Sequence, residues 1–352
     1  MAVTLALTSL SGGRMTVIDL HPGMSISNAA SSAPEGAVLL RLHPGVYSEK
    51  VYIRRSGVTV EGMGISPEDV RIEWGDYAYE IMPDGIKRGT FRSYTFFIKG
   101  DDNRLKNLTI ENTSYPRKKA GQALALFAEG DFNGEGLVLK SYQDTLFTGP
   151  LPYKEREPGG FRGPTEFDER IPCTQYYKGC RIYGDIDFIF GSATCYFEDC
   201  DIISRNGTYD PEAVDAIKVN SEAKDKAADS AEGMVYGYCT AASTYEGQAY
   251  GYVFENCRFL SEDCPAESVY IGRPWREHAR TVLLNCYLDE HIKREGFDDW
   301  GRKEAHETIF YAEYGSEGPG ASGKRASFVK KLSLSEAEVY SKDRVLKSVK
   351  KV

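Results

Sequence analysis

A chain of 352 residues with 52 acidic against 43 basic side chains carries a formal charge of −9. That balance argues against sequence-independent nucleic-acid binding, which works by neutralising phosphates, and no apolar run approaches the ~18 residues a membrane-spanning helix needs. With 41% hydrophobic residues the chain can bury a large core, and a single all-β domain over residues 1–352 is an ordinary size. The opening MAVTLALTSLSGGRM has no basic n-region and only a short, broken apolar stretch. The expectation is therefore a cytoplasmic protein whose eight cysteines (173, 180, 195, 200, 239, 257, 264 and 286) are reduced thiols. They form no CxxC pair and have no His at ligand spacing, so neither a metal nor a cofactor is expected.

In the N-terminal cap region 1–40, SISNAASSAP (25–34) reads as a short helix stopped by Pro34 that plugs one end of the molecule. Six later segments then share a shape, a small or polar residue followed by alternating apolar ones: RLKNLTIEN, FNGEGLVLKS, YYKGCRIYGD, CYFEDCDIIS, YVFENCRFLS and VLLNCYLDEH. Aligned on Asn107, Gly136, Cys180, Cys200, Cys257 and Cys286, they are 29, 44, 20, 57 and 29 residues apart. Such gaps suit the coils of a solenoid, some carrying long loops, and short strands without helical periods favour a single-stranded parallel β-helix. The cysteines read as small corner residues that stack from coil to coil. Two stretches, 150–172 and 205–232, read as loop excursions, which on a solenoid gather on the functional face.

Between them lies GDIDFIFGSAT (184–194). At strand period Ile186, Phe188 and Phe190 share a core-facing side, and Asp185, Asp187 and Ile189 share the other. By itself this is a solvated carboxylate on a half-buried strand. At the C-terminus, residues 323–352 carry nine basic and three acidic side chains. Within them SEAEVYSKDRVL (335–346) offers Ser335 and Glu338 at capping-box spacing, a helix that caps or flanks the far end with a solvated basic face.

The chain has no GxSxG elbow, no HExxH, no Walker loop and no GxGxxG, and only five histidines. Carboxylate, amide and guanidinium chemistry remains. Four patches carry it: GQALAL (121–126), YQDTLF (142–147), GDIDFIFG (184–191) and YIGRPW (270–275). Each is weak alone. In this order they resemble the pectin methylesterases (pectinesterases, carbohydrate esterase family 8). HPGVYSEKVYI (43–53), VTVEGMG (58–64), SYTFFIKGDDNRLKNLTIENT (93–113) and RTVLLNCYLDEHIKREGFDDW (280–300) extend the resemblance over nearly the whole chain. It departs at the two excursions and at Phe297, where relatives often carry Trp.

The resemblance implies a right-handed parallel β-helix and hydrolysis of galacturonate methyl esters, with pectin or methylated oligogalacturonides as partner, no nucleic acid or membrane, and a monomer. It implies Asp187 as nucleophile, Asp144 as general acid/base, Gln122 and Gln143 as oxyanion donors, and Arg273 as the partner of Asp187. Trp275 is implied as a sugar-stacking plane, with Tyr142, Phe188 and Trp300 as further aromatic candidates. Arg273 is expected to lower the pKa of Asp187 while an apolar setting and a like charge raise that of Asp144. Gln143 and Asp144 are neighbours, so both reach one site only if a strand ends or bulges at 143–144. The alternatives are a lyase or glycosidase on the same architecture, a non-catalytic polysaccharide-binding β-helix, and an esterase or thioesterase with another substrate.

Overall fold

In a computed structural model, residues 5–10, 13–115, 117–207 and 234–349 are described. Most of the excursion expected at 205–232 lies outside them. Twenty-seven strands form three sheets of twelve, eight and seven strands. One strand of each sheet makes a coil, and coils stack in parallel register; the exception among strand pairs is the antiparallel Leu5–Leu10 with Gly13–Leu20. This is the β-helix expected from the repeat.

The coils turn from the twelve- to the eight-stranded sheet at a residue with left-handed backbone: Asn107, Gly136, Gly179, Asp199, Asn256 and Asn285, all with φ between 50° and 60°. Gly, Asn and Asp enter that region most readily. The repeat's true corner thus lies one residue before Cys180, Cys200, Cys257 and Cys286, and the alignment on cysteine is corrected by one position there. The four thiols follow the corner, point inward and are fully buried. The N–H of Cys180 donates to Cys200 Sγ at 3.4 Å, and that of Cys200 to Cys257 Sγ at 3.4 Å. Beside them Tyr177, Phe197 and Phe254 stack in register, with centroids 4.9 and 4.5 Å apart.

The helix expected at 25–34 is Ile26–Ser32, capped by Ser25 and sealed to the first coil through buried Ile26 and Ala30. The C-terminal helices differ from expectation. The capping box is Ser333 with Glu336, opening Leu334–Ala337 rather than a helix from Ser335. With Lys342–Leu346, this segment lies on the outer face of the twelve-stranded sheet, where Leu332, Ala337 and Val345 cover Tyr196, Val253, Val282 and Ala312. It flanks the coils; it does not close their end.

The seven-stranded sheet carries a second apolar layer on its outside. Phe97, Phe127, Phe147 and Phe190 stand in register on successive strands. They are roofed by Phe91 and by Leu151 and Phe161 of the 150–172 excursion. Asp168 fastens that excursion to the sheet through Arg54 (2.8 and 2.7 Å) and Lys99 (2.6 Å), and Lys99 also pairs with the buried Glu129.

Phe197 sits in the middle of the inner stack, so Phe197→Ala is expected to remove about 3–5 kcal/mol of stability. A fall in the urea midpoint would show this; an unchanged midpoint would mean that the stack does not hold the coils together.

Candidate active site

The seven-stranded sheet places the sequence-expected polar residues along its outer edge. Leu146 pairs with Ile189 and Phe147 with Phe190, so counting back sets Asp144 opposite Asp187 on consecutive coils. Their backbones match as well: φ is +64° at Asp144 and +51° at Asp187. The Asp144 N–H donates to Ile186 O at 3.0 Å, and the Ala123 N–H to Gln143 O at 3.1 Å. Gln122, Gln143–Asp144 and Asp187 therefore rise on three stacked coils, at about 4.8 Å per step. A turn at 143–144 precedes the strand Leu146–Thr148. This is the break in extended backbone that two neighbouring site residues need.

Alternation fails around Asp187. Ile186 pairs with Tyr238 and Ile189 with Thr240, so two residues, Asp187 and Phe188, oppose Cys239 alone. This bulge resets the faces. Phe188 and Ile189 both enter the core, Phe190 joins the outer layer, and Ile186 is only partly buried. The single-face grouping of Ile186, Phe188 and Phe190 is thereby corrected. So is Phe188 as a sugar contact: it is 0% exposed. A Cβ on Gly184 would lie 2.2 Å from Phe188 Cβ, so glycine is needed for that ring to turn inward. Asp185, expected beside Asp187, is buried and accepts from the Ile186 N–H at 2.6 Å.

Arg273 follows the strand Val269–Gly272, its N–H donating to Thr240 O at 2.9 Å. Its guanidinium reaches back to Asp187 as a fork, Nε to Oδ1 at 2.8 Å and Nη2 to Oδ2 at 2.7 Å. Burial raises both carboxyls above the usual aspartate range, but unequally. At Asp187 burial is opposed by the hydrogen bonds and charge of Arg273, so the rise is limited. That corrects the expected lowering: desolvation outweighs the cation. Asp144 has burial and the Asp187 charge acting together, with Arg273 only a more distant counterweight, and is raised well above the ordinary value. The intended order, Asp144 the weaker acid, is preserved.

Gln122 and Gln143 are part-exposed, and among the described residues neither side-chain amide has a hydrogen-bond partner. Trp275 lays an edge on Phe190 at 5.5 Å and remains part-exposed, with its carbonyl held by Arg156 and Arg276. Tyr142 tilts against Tyr115 at 5.0 Å with Arg205 over its ring. Trp300 is turned onto Arg273, 3.7 Å from ring centroid to guanidinium carbon. Sequence reading missed Tyr238, which lies on Arg273 at 3.8 Å, and Asp298, whose carboxylate accepts from the Trp300 N–H. An Asp two residues before Trp300 is an Asx-turn signal that could have flagged the second; nothing local marks the first.

The arrangement offers a carboxyl forked onto a guanidinium, a second carboxyl one coil away that burial makes the weaker acid, and two unpaired amides, a set suited to acyl transfer. A family model described as Pectinesterase matches residues 22–152 and 171–348. The probable pectinesterase/pectinesterase inhibitor 12 of Arabidopsis thaliana is 31% identical over 308 residues, 84% of this chain and 46% of its own length. The chain spans about half the length of the curated relatives it matches. Among solved structures, the pectin methylesterase PemA from Erwinia chrysanthemi is 28% identical with a TM-score of 0.70, covering 92% of both chains. A pectin methylesterase in complex with a hexasaccharide is 27% identical with a TM-score of 0.68, again over 92% of both. The sheets and these matches agree: the chain belongs to the pectinesterase family.

Proposed function

We propose that this chain hydrolyses galacturonate methyl esters of pectin or methylated oligogalacturonides, releasing methanol and leaving the glycosidic chain intact. One observation carries the reading: two aspartates in equivalent register, one forked onto a guanidinium and the other without a hydrogen-bonded cation. A nucleophile and a proton donor need those two states.

Asp187 attacks the ester carbonyl carbon, and the charge that moves to the carbonyl oxygen is met by the Gln122 and Gln143 amides. Collapse expels the methoxy group, which takes the proton of Asp144 and departs as methanol, leaving an anhydride between Asp187 and the galacturonate. Asp144, now a carboxylate, takes a proton from water as the water attacks the galacturonate carbonyl. Asp187 leaves as carboxylate and Asp144 is again protonated. Arg273 neutralises Asp187 in both resting and departing forms. Trp275 and Tyr142, part-exposed beside the aspartates, offer rings to the sugars.

Asp187→Ala is expected to lower methanol release from methylated oligogalacturonides by at least about a thousandfold while circular dichroism stays unchanged. Activity near the wild-type level would remove Asp187 from the reaction. Gln143→Ala is expected to cost about 10²–10³ in kcat.

The pH profile follows from the two carboxyls. Activity rises as pH passes the Asp187 value, which burial has lifted, and falls as pH passes the higher Asp144 value. Arg273→Gln removes the lowering influence on Asp187, so its acidic limb is expected to move to higher pH and the maximum to shrink. An acidic limb that stays in place would separate Arg273 from Asp187 ionisation.

Stability carries a further signature. The Asp144 carboxyl binds its proton more tightly folded than unfolded, so its ionisation destabilises the fold as pH rises above about 4, the unfolded value. The loss is complete once pH exceeds the folded value. Asp144→Asn is expected to match wild type in Tm near pH 3 and to exceed it increasingly toward neutral pH. A difference independent of pH would contradict the assignment of a protonated, buried Asp144.

A further inference from the structure

Asp187 needs its cation in one orientation, and two rings from distant parts of the chain hold that cation between them. The Arg273 guanidinium carbon lies 3.8 Å from the Tyr238 centroid and 3.7 Å from that of Trp300. Tyr238 stands on Gly237–Ala242, the strand between those of Asp187 and Arg273, and is itself stacked on Tyr270 at 5.6 Å and 10°. Trp300 arrives from the turn between Tyr287–Leu288 and Phe310–Tyr314.

The Trp300 backbone is strained to get there. Its φ is +55°, a region that bulky residues seldom occupy. The local hydrogen bonds enforce it: Trp300 N–H donates to Asp298 Oδ1 at 2.7 Å and Gly301 N–H to Asp299 Oδ1 at 2.8 Å. The Asp298 N–H in turn donates to Gly272 O at 3.0 Å, tying the turn to the residue before Arg273. Arg302 and Arg156 lie over the same indole at 4.9 and 5.6 Å. A conformation of this kind persists where its surroundings over-determine it, and here they fix a ring against the guanidinium.

We propose that Trp300 and Tyr238 are positioning residues that clamp Arg273 fork-on to Asp187, and that Trp300 serves the site in this way rather than as a sugar platform. The proposal rests on Asp187 being the nucleophile. Rings on a guanidinium's faces leave only its edge for hydrogen bonding, and that edge carries the Nε and Nη2 bonds to Asp187. Without a ring the long Arg side chain regains rotamers in which the fork is broken, and Asp187 loses part of its compensation. The charged and titratable groups around Asp187 are Arg273, Tyr238, Tyr311, Asp298 and Asp144, with Asp185 two residues away; none but Arg273 favours its ionised form.

The test uses the full chain carrying carboxyl-labelled aspartate, with the Asp187 resonance assigned by its loss in Asp187→Asn. Trp300→Asn removes the ring but keeps a residue that takes left-handed backbone readily, and Tyr238→Leu removes the second ring. In both, the Asp187 titration midpoint is expected to rise by about half to one pH unit. Trp300→Phe and Tyr238→Phe should restore it. The acidic limb of kcat for methanol release should move by the same amount with KM little changed. A midpoint that stays or falls in both ring-removing variants overturns the clamp, as does a raised KM with an unmoved midpoint in Trp300→Asn, which would mark Trp300 as a sugar contact. If wild type releases no methanol while the midpoint shifts as expected, the clamp stands and the esterase reading fails, because the titration needs no turnover.

Discussion

A carboxylate lifted out of water stays ionised only when a cation is held against it, and in this chain the cation comes from a residue 86 positions away. The Asp187–Arg273 fork is the constraint around which the cleft is arranged. It requires that the strands of Asp187, Tyr238 and Arg273 be successive steps of one sheet, which the parallel coil provides. It requires a left-handed turn at Asp187 so that the carboxylate leaves the strand while Phe188 and Ile189 remain in the core. It also sets the contrast with Asp144, since one guanidinium used by one carboxylate leaves the neighbouring coil's carboxyl to burial and repulsion. Remove the fork and both aspartates become buried acids of the same kind, with nothing to divide nucleophile from proton donor.

Much of this was legible in the sequence, unevenly and for identifiable reasons. The coil repeat was visible because corners recur and cysteines mark them. It was read one residue late in four coils, since backbone geometry selects Gly179, Asp199, Asn256 and Asn285, whereas the eye follows the thiol beside them. The turn at 143–144 followed from a plain geometric demand, that two neighbouring side chains serve one site. The bulge at Asp187 gave no such sign. An aspartate suits left-handed backbone and ordinary strand surface alike, so strict alternation was the simpler reading and misplaced Ile186 and Phe190. Trp300 shows the wider limit. An aromatic beside an active site fits a sugar or a cation equally, and the choice here depends on Tyr238 and on an Asx turn whose strain appears only in the backbone.

The matched family segments stop at 152 and resume at 171, so residues 153–170 lie outside the family model's match. This segment is firmly seated. Phe161 closes the outer phenylalanine layer, and Asp168 bridges Arg54 and Lys99 on two strands of the sheet. From that base Arg156 reaches the carbonyl of Trp275 at 2.6 Å and lies over Trp300. The segment therefore braces Trp275 and Trp300, the second of which lies on Arg273, and brings to the rim a guanidinium that has no carboxylate partner among the described residues.

Several unfavourable features of the molecule meet on this one edge. Asp144, Asp187 and Trp300 all carry left-handed backbone, and two of the three are buried acids. In a solenoid each coil contacts mainly its neighbours, so local strain must be offset within the same few coils. Those coils supply it on their other faces: the Tyr177–Phe197–Phe254 stack and the cysteine column lie inside the turns that present Asp187, Tyr238 and Arg273 outside. Close packing resists small displacements, so the inner stack fixes the rise between these coils, and that rise sets the reach of Arg273 across the Tyr238 coil to Asp187. The core and the cleft are two sides of the same strands. Any change that loosened the inner stack would alter the distance over which Arg273 reaches Asp187 before it unfolded the chain.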